Sequence, residues 1–245
     1  MELSNWTSFN GEIKRGYTVK KFFSKYLYKL TVYAPAGRLI TKDGNMVALL
    51  DETKQRIKSA IKTASSYTAQ YLREREQHLR KADVEWLEAL RDIYNNESLP
   101  VKICISEQYT HFYATTEQEL LDLVSQIDKT FYRYLDKIFG PESANAEKLL
   151  NENVILRKKA NSYTHKIILR DGKYDVTVKN QLKEYFAGFG PAVVKVPRAV
   201  SRALDRTTLS VWGMYIYTND PGIATFINII HPGLVRNCHE LATPE

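Results

Sequence analysis

Apolar residues recur along this chain at two spacings, and each change of spacing predicts a change of element. From Tyr26 to Ile40 (YLYKLTVYAPAGRLI) the alternation is two-fold and rich in β-branched and aromatic residues, which predicts a strand closed by a turn at Pro35–Gly37. Between Asp51 and Asn96 there is neither glycine nor proline. Ile57, Ile61, Ala64, Tyr67 and Tyr71 recur at helical spacing, as do Trp86, Leu90 and Ile93. With Asp51 and Asp83 placed as N-caps, this reads as a helical hairpin or one long kinked helix. Val101–Ser106 and Tyr109–Thr115 read as two short strands joined at Glu107-Gln108. Thr116 and Glu119 then form a T-x-x-E capping box. Behind it Leu120, Leu123, Val124, Ile127, Phe131, Leu135 and Ile138 predict one helix running to Gly140-Pro141.

Residues 142–153 read as a linker or a short helix. The second half then predicts strands at 163–170, 192–196, 211–218 and 234–241, with helices near 178–186, 197–205 and 223–230. Pro197 is read as the first residue of its helix. The predicted fold class is α+β, with two ferredoxin-like (βαββαβ-type) lobes. An N-terminal lobe, 1–150, carries the helical segment 51–96 as an insertion, and a C-terminal lobe spans 151–245. Phe112-Tyr113-Ala114 followed by Leu120, Leu123, Val124 and Ile127 echoes Tyr215-Ile216-Tyr217 followed by Ile223, Phe226, Ile227 and Ile230 at a constant offset. Such an echo suggests duplication, although any strand-turn-helix unit carries a similar pattern.

Composition changes this picture little. At 245 residues, 44% hydrophobic and 26% charged, the chain is long enough to bury a core and reads as a soluble globular protein. No stretch approaches the roughly 18 apolar residues of a membrane span. Residues 1–10 lack the apolar segment of a secretory signal. Cys104 and Cys238, far apart and in no C-x-x-C pair, are read as buried thiols. These features point to the cytoplasm or a virus particle.

Charge changes it more. The net charge of +7 is unevenly spread: +5 over residues 1–50, zero over 51–100, −4 over 101–153, +8 over 154–215 and −2 beyond. Two basic blocks flanking an acidic stretch suggest a polyanionic partner. Arg198, Arg202 and Arg206, four apart, fall on one face of a helix, and a guanidinium can donate two hydrogen bonds to one phosphate. Lys54, Lys58 and Lys62 repeat the spacing on the long helix, and Arg157, Lys158 and Lys159 form a cluster ahead of the second half. Among sixteen tyrosines, Tyr215 and Tyr217 alternate with Ile216 and so share one strand face, the arrangement that stacks on bases when cations flank it. Packing in a core or a subunit contact explains the same residues.

Chemical motifs are sparse. No GxxxxGK[ST] is present, and Gly188-Phe189-Gly190 precedes a proline and reads as a helix stop. His231, Cys238 and His239 offer three N/S ligands but lack the second close pair of a structural zinc site, so no metal and no cofactor is assigned. Tyr163 and His165, with Lys166, alternate onto one face and could serve a metal-independent ribonuclease. Tandem ferredoxin-like lobes with a basic groove resemble, at fold level only, the CRISPR RNA nucleases. The glycine-rich C-terminal loop typical of that family is absent, as is a two-histidine HUH motif.

The sequence therefore leads to a non-enzymatic nucleic-acid-binding protein, for RNA or DNA, with no catalytic residue assigned. Its candidate contacts are Arg157, Lys158, Lys159, Lys166, Arg198, Arg202, Arg206, Lys54, Lys58, Lys62, Tyr215 and Tyr217. A structural or assembly subunit of a phage or other viral particle, with a homo-oligomeric partner, is the alternative. A ribonuclease is the third reading.

Overall fold

A computed structural model describes residues 3–106, 108–157 and 162–243. The chain is mixed α+β and divides into two compact units, Met1–Ser143 and Ala144–Glu245. In the first, the strands β1 (Lys14–Tyr17) and β2 (Tyr28–Tyr33) precede three helices, α1 (Met46–Thr63), α2 (Ser66–Arg80) and α3 (Val84–Asn95). Then come β3 (Lys102–Ile105), β4 (Tyr109–Ala114), α4 (Glu117–Ser125) and β5 (Leu135–Gly140). The sheet order is β1-β5-β2-β4-β3, with β1 parallel to β5 and the other neighbours antiparallel.

The second unit contains α5 (Ala144–Asn151), β6 (Ile155–Leu156), β7 (His165–Leu169), β8 (Gly172–Tyr174), α6 (Val176–Ala187), β9 (Val194–Lys195) and α7 (Arg198–Leu204). It ends with β10 (Leu209–Val211), β11 (Tyr215–Thr218), α8 (Gly222–Ile230) and β12 (Val235–Ala242). Its main sheet has the order β6-β12-β7-β11-β9, again with the first pair parallel and the rest antiparallel. Each unit thus has a five-stranded mixed sheet in which one edge strand runs parallel to the unit's last strand and the other neighbours are antiparallel.

Local chemistry explains where the helices begin and end. Asn45, not Asp51, caps α1 by accepting from the Ala48 N–H; Asp51 lies within the helix and pairs with Lys54 at 3.5 Å. Ser65 caps α2 and Asp83 caps α3, so the segment read as a hairpin or a kinked rod is three helices. The Thr116–Glu119 capping box forms as expected. The helix behind it, however, stops at Ser125 and does not reach Ile138. Asp128 accepts from the Thr130 N–H and starts a short 3-10 turn, after which Leu135 and Ile138 are buried in β5. Their spacing of three fits a helix and not a regular strand, and the strand accommodates both through a bulge at Asp136 against β2.

Two strands are shorter than the sequence suggested. The first ends at Tyr33, since Ala36 adopts φ 66° and leads into a 3-10 turn over Gly37–Thr41. The stretch 211–218 splits at Gly213, whose φ of 61° suits a residue without Cβ and whose N–H donates to Asp171. Of the two thiols, both free, Cys104 is half-buried and Cys238 is exposed rather than buried.

In the second unit α6, α7 and α8 pack on one face of the sheet. Ile167, Leu169 and Ile216 meet Leu182, Val200, Ala203, Ile223 and Ile227 in one buried cluster. Alternation along β7, β11 and β12 sends the intervening side chains to the opposite face.

Candidate nucleic-acid interface

That opposite face carries the site. On β11, Tyr215 and Tyr217 flank the fully buried Ile216 and are themselves half-exposed. Antiparallel pairing sets Lys166 of β7 directly across from Tyr217, and Ile168 across from Tyr215. Beyond β7, β12 contributes His239 opposite Lys166 and Asn237 opposite Ile168. On the other side, Lys195 of β9 pairs with Tyr217. None of these side chains is a carboxylate.

The cations lie on the rings. The Lys166 ammonium is 3.9 Å from the Tyr215 centroid and 6.0 Å from that of Tyr217. Arg157, just after β6, sits 5.3 Å over Tyr217 and donates to its hydroxyl at 3.3 Å. Tyr163 stacks on Tyr217 at 6.2 Å, tethered by a hydrogen bond from its hydroxyl to the Pro191 carbonyl. Tyr215 and Tyr217 meet edge to face at 5.2 Å. Tyr217 and then burial push the Tyr215 hydroxyl above its ordinary value, so it remains a neutral donor. His239 is buried, with Nδ1 3.0 Å from the Asn153 carbonyl and Nε2 3.4 Å from the Asn237 amide.

Four of the candidates from sequence, Arg157, Lys166, Tyr215 and Tyr217, are therefore brought together. Lys158 and Lys159 lie outside the described residues. Arg198 and Arg202 sit on α7 in the helix layer, and Arg206 lies past the end of α7, so the three do not form one helix face. All three are exposed, and Asp205 pairs with Lys183 at 2.8 Å instead of with them. Lys54, Lys58 and Lys62 follow α1 in the first unit. Tyr163 and His165 do not share a face as alternation predicted. His165 takes the register of the core-side residues, opposite the buried Thr218, whereas Tyr163 precedes the strand and turns onto Tyr217. His231 packs edge-on against Tyr174, and among the described residues no three His, Cys, Asp or Glu side chains converge as metal ligands. No described helix is long and apolar enough to cross a membrane.

Lys195 and Asn237 were not singled out from sequence, whereas Tyr163 and His239 were, as a ribonuclease candidate and a metal-ligand candidate. Each enters through cross-strand register or a loop path, which local periodicity does not carry. Comparison with models of protein families, with curated proteins and with solved structures finds no match to this chain.

Proposed function

We propose that the second unit binds single-stranded nucleic acid on the face of its sheet turned away from α6, α7 and α8, and that both units are ferredoxin-like lobes with an added edge strand. The strand order supports the second point. The observation that carries the first is the cluster of Lys166, Arg157, Tyr215 and Tyr217 on one open surface. Tyrosine faces accept any base, while the lysine and arginine meet the phosphates between them.

The cations now on the rings do not prevent this. An exposed cation–π contact is worth roughly 0.5–1 kcal/mol, whereas a base stacked on an aromatic ring gains roughly 1–3 kcal/mol. A base therefore displaces the ammonium, which swings to a phosphate on its flexible stem and loses little. Duplexes fit poorly, since their base faces are already stacked.

The test is fluorescence anisotropy with labelled single-stranded and duplex oligonucleotides over a salt series. Single strands should bind more tightly, with affinity falling steeply as salt rises because counterions are released. Tyr215→Ala with Tyr217→Ala should weaken binding about ten-fold or more. Substituting Arg198, Arg202 and Arg206 with Glu should weaken it less, because they lie in the helix layer. Undiminished binding by the tyrosine variant would falsify the site. The reading as a subunit of a larger assembly rests on exposed Trp212, Phe226 and Ile229. A preparation that self-associates and ignores nucleic acid would favour it.

A further inference from the structure

We infer that the first unit carries a second platform for single-stranded nucleic acid, on the face of its sheet turned away from α4. The inference rests on the reading of the second unit but has its own residues. Along β4, Phe112 and Ala114 are buried against Leu120, Leu123 and Val124 of α4, which leaves Tyr109, His111 and Tyr113 on the other face. Their rings form a ladder, with Tyr109 to His111 and His111 to Tyr113 each 6.4 Å between centroids. Tyr33 of β2 meets Tyr109 edge to face at 5.7 Å.

Lysines line this ladder as they line the other. Lys29 of β2 pairs across from Tyr113, the relation that Lys166 has to Tyr217, and its ammonium lies 5.7 Å over that ring. Lys137 of β5 is opposite Thr31, whose hydroxyl is 3.2 Å from His111 Nδ1. Lys14 of β1 is opposite Lys137 in turn, with a side chain 72% exposed and a 3.5 Å pair to Asp136. Burial, then the charge of Lys29, lowers the His111 pKa and favours the neutral ring.

The two platforms differ at one end. Here Phe22 and Phe23 close over Tyr113 at 5.4 and 4.9 Å, and Tyr113 is buried. The chain's own phenylalanines hold the place where a base would stack in the second unit. What remains accessible is Tyr33, Tyr109 and His111, all half-exposed, with Lys137 and Lys14 alongside. That is room for two or three bases, and the run of lysines selects a polyanion rather than a neutral peptide.

The experiment is isothermal titration calorimetry of the full chain with hexauridylate and with the hexamer of thymidylate. The wild type should take up two hexamers per chain. Tyr109→Ala with His111→Ala should take up one, and Tyr215→Ala with Tyr217→Ala should take up the other. A stoichiometry of one, unchanged in the Tyr109/His111 variant and abolished in the Tyr215/Tyr217 variant, overturns this inference and leaves the second-unit site standing. The converse pattern overturns the second-unit site and keeps this one. If the Tyr109/His111 variant does not fold, Lys14→Glu with Lys137→Glu replaces it. That pair should weaken one of the two hexamers about ten-fold or more at low salt, and two unaffected hexamers overturn the inference.

Discussion

A histidine set between a lysine and a threonine has little freedom to charge. His111 is half-buried beside Lys29, and both burial and that ammonium depress its pKa. The unfolded chain binds a proton near the ordinary imidazole value of about 6.5, while the folded chain resists it to lower pH. Stability from this group is therefore fully present above about pH 6.5 and is lost as the pH falls toward the folded-state pKa. In urea unfolding between pH 7.5 and 5, His111→Gln should show a shallower loss of stability than the wild type. Equal slopes would mean that the imidazole already titrates freely. The same environment lowers the pKa of Lys29, through burial and then Lys137, although Cys104 opposes the shift. At this scale the sequence was informative where one strand suffices. The alternation at Tyr215-Ile216-Tyr217 placed two rings on one face before any partner strand was known. It could not pair Lys166 with His239, because that contact depends on how β12 registers against β7.

Among the elements, helix starts were legible at α3 and α4 and misread at α1, where Asn45 and not Asp51 is the cap. A start is written locally in a capping side chain, as Asp83 and Thr116 show, whereas an end depends on what competes for the next residues. The segment after Ser125 had helical apolar spacing, yet its end forms β5, between β1 and β2, with a bulge that the periodicity did not show. The two caps should differ in cost. Thr116→Ala removes one acceptor while Glu119 keeps its bonds to Thr115, a loss of about 1 kcal/mol. Asp83 accepts from the Trp86 N–H at 3.1 Å, from the Tyr134 hydroxyl at 2.7 Å and from Arg133 at 3.0 Å. Asp83→Ala should therefore cost about twice as much, a cap plus a hydrogen bond of about 1 kcal/mol. Burial alone would raise the Asp83 pKa, but the bonds from Tyr134, Trp86 and Arg133 outweigh it and hold the carboxyl below its ordinary value. Its contribution is present above about pH 4 and fades as the carboxylate is protonated. Urea midpoints of both variants at pH 7 give the comparison, and equal midpoints would remove the Tyr134 bond from the account.

At the scale of the molecule, the repeated strand order gives the internal echo a structural counterpart, because both copies fall on a strand and the helix after it, β4–α4 and β11–α8. The strand alignment needs correcting by one residue. Burial matches Phe112 and Ala114 with Ile216 and Thr218, not with Tyr215 and Tyr217, and a slip of one exchanges the core face for the open one. The matching positions are then His111 with Tyr215 and Tyr113 with Tyr217, although Tyr113 is covered by Phe22 and Phe23 and Tyr217 is not. Charge was a poorer guide at this scale. The basic block 154–215 distributes its side chains between the open face, with Lys166 and Lys195, and the helix layer, with Arg198 and Arg202. The cluster around Ile167 and Ile216 draws every member from the second unit. Ile216→Ala empties a fully buried site in that cluster and should cost roughly 2–5 kcal/mol, a large part of what holds a unit of this size. If the cores are independent, native-state hydrogen exchange should quicken in β7, β11 and β12 of this variant and stay unchanged in β2, β4 and β5. Equal acceleration in both sheets would show one cooperative block, and the two platforms could then not be weakened separately by core substitutions. Unequal acceleration is the expected result, since no residue of the cluster around Ile167 and Ile216 comes from the first unit.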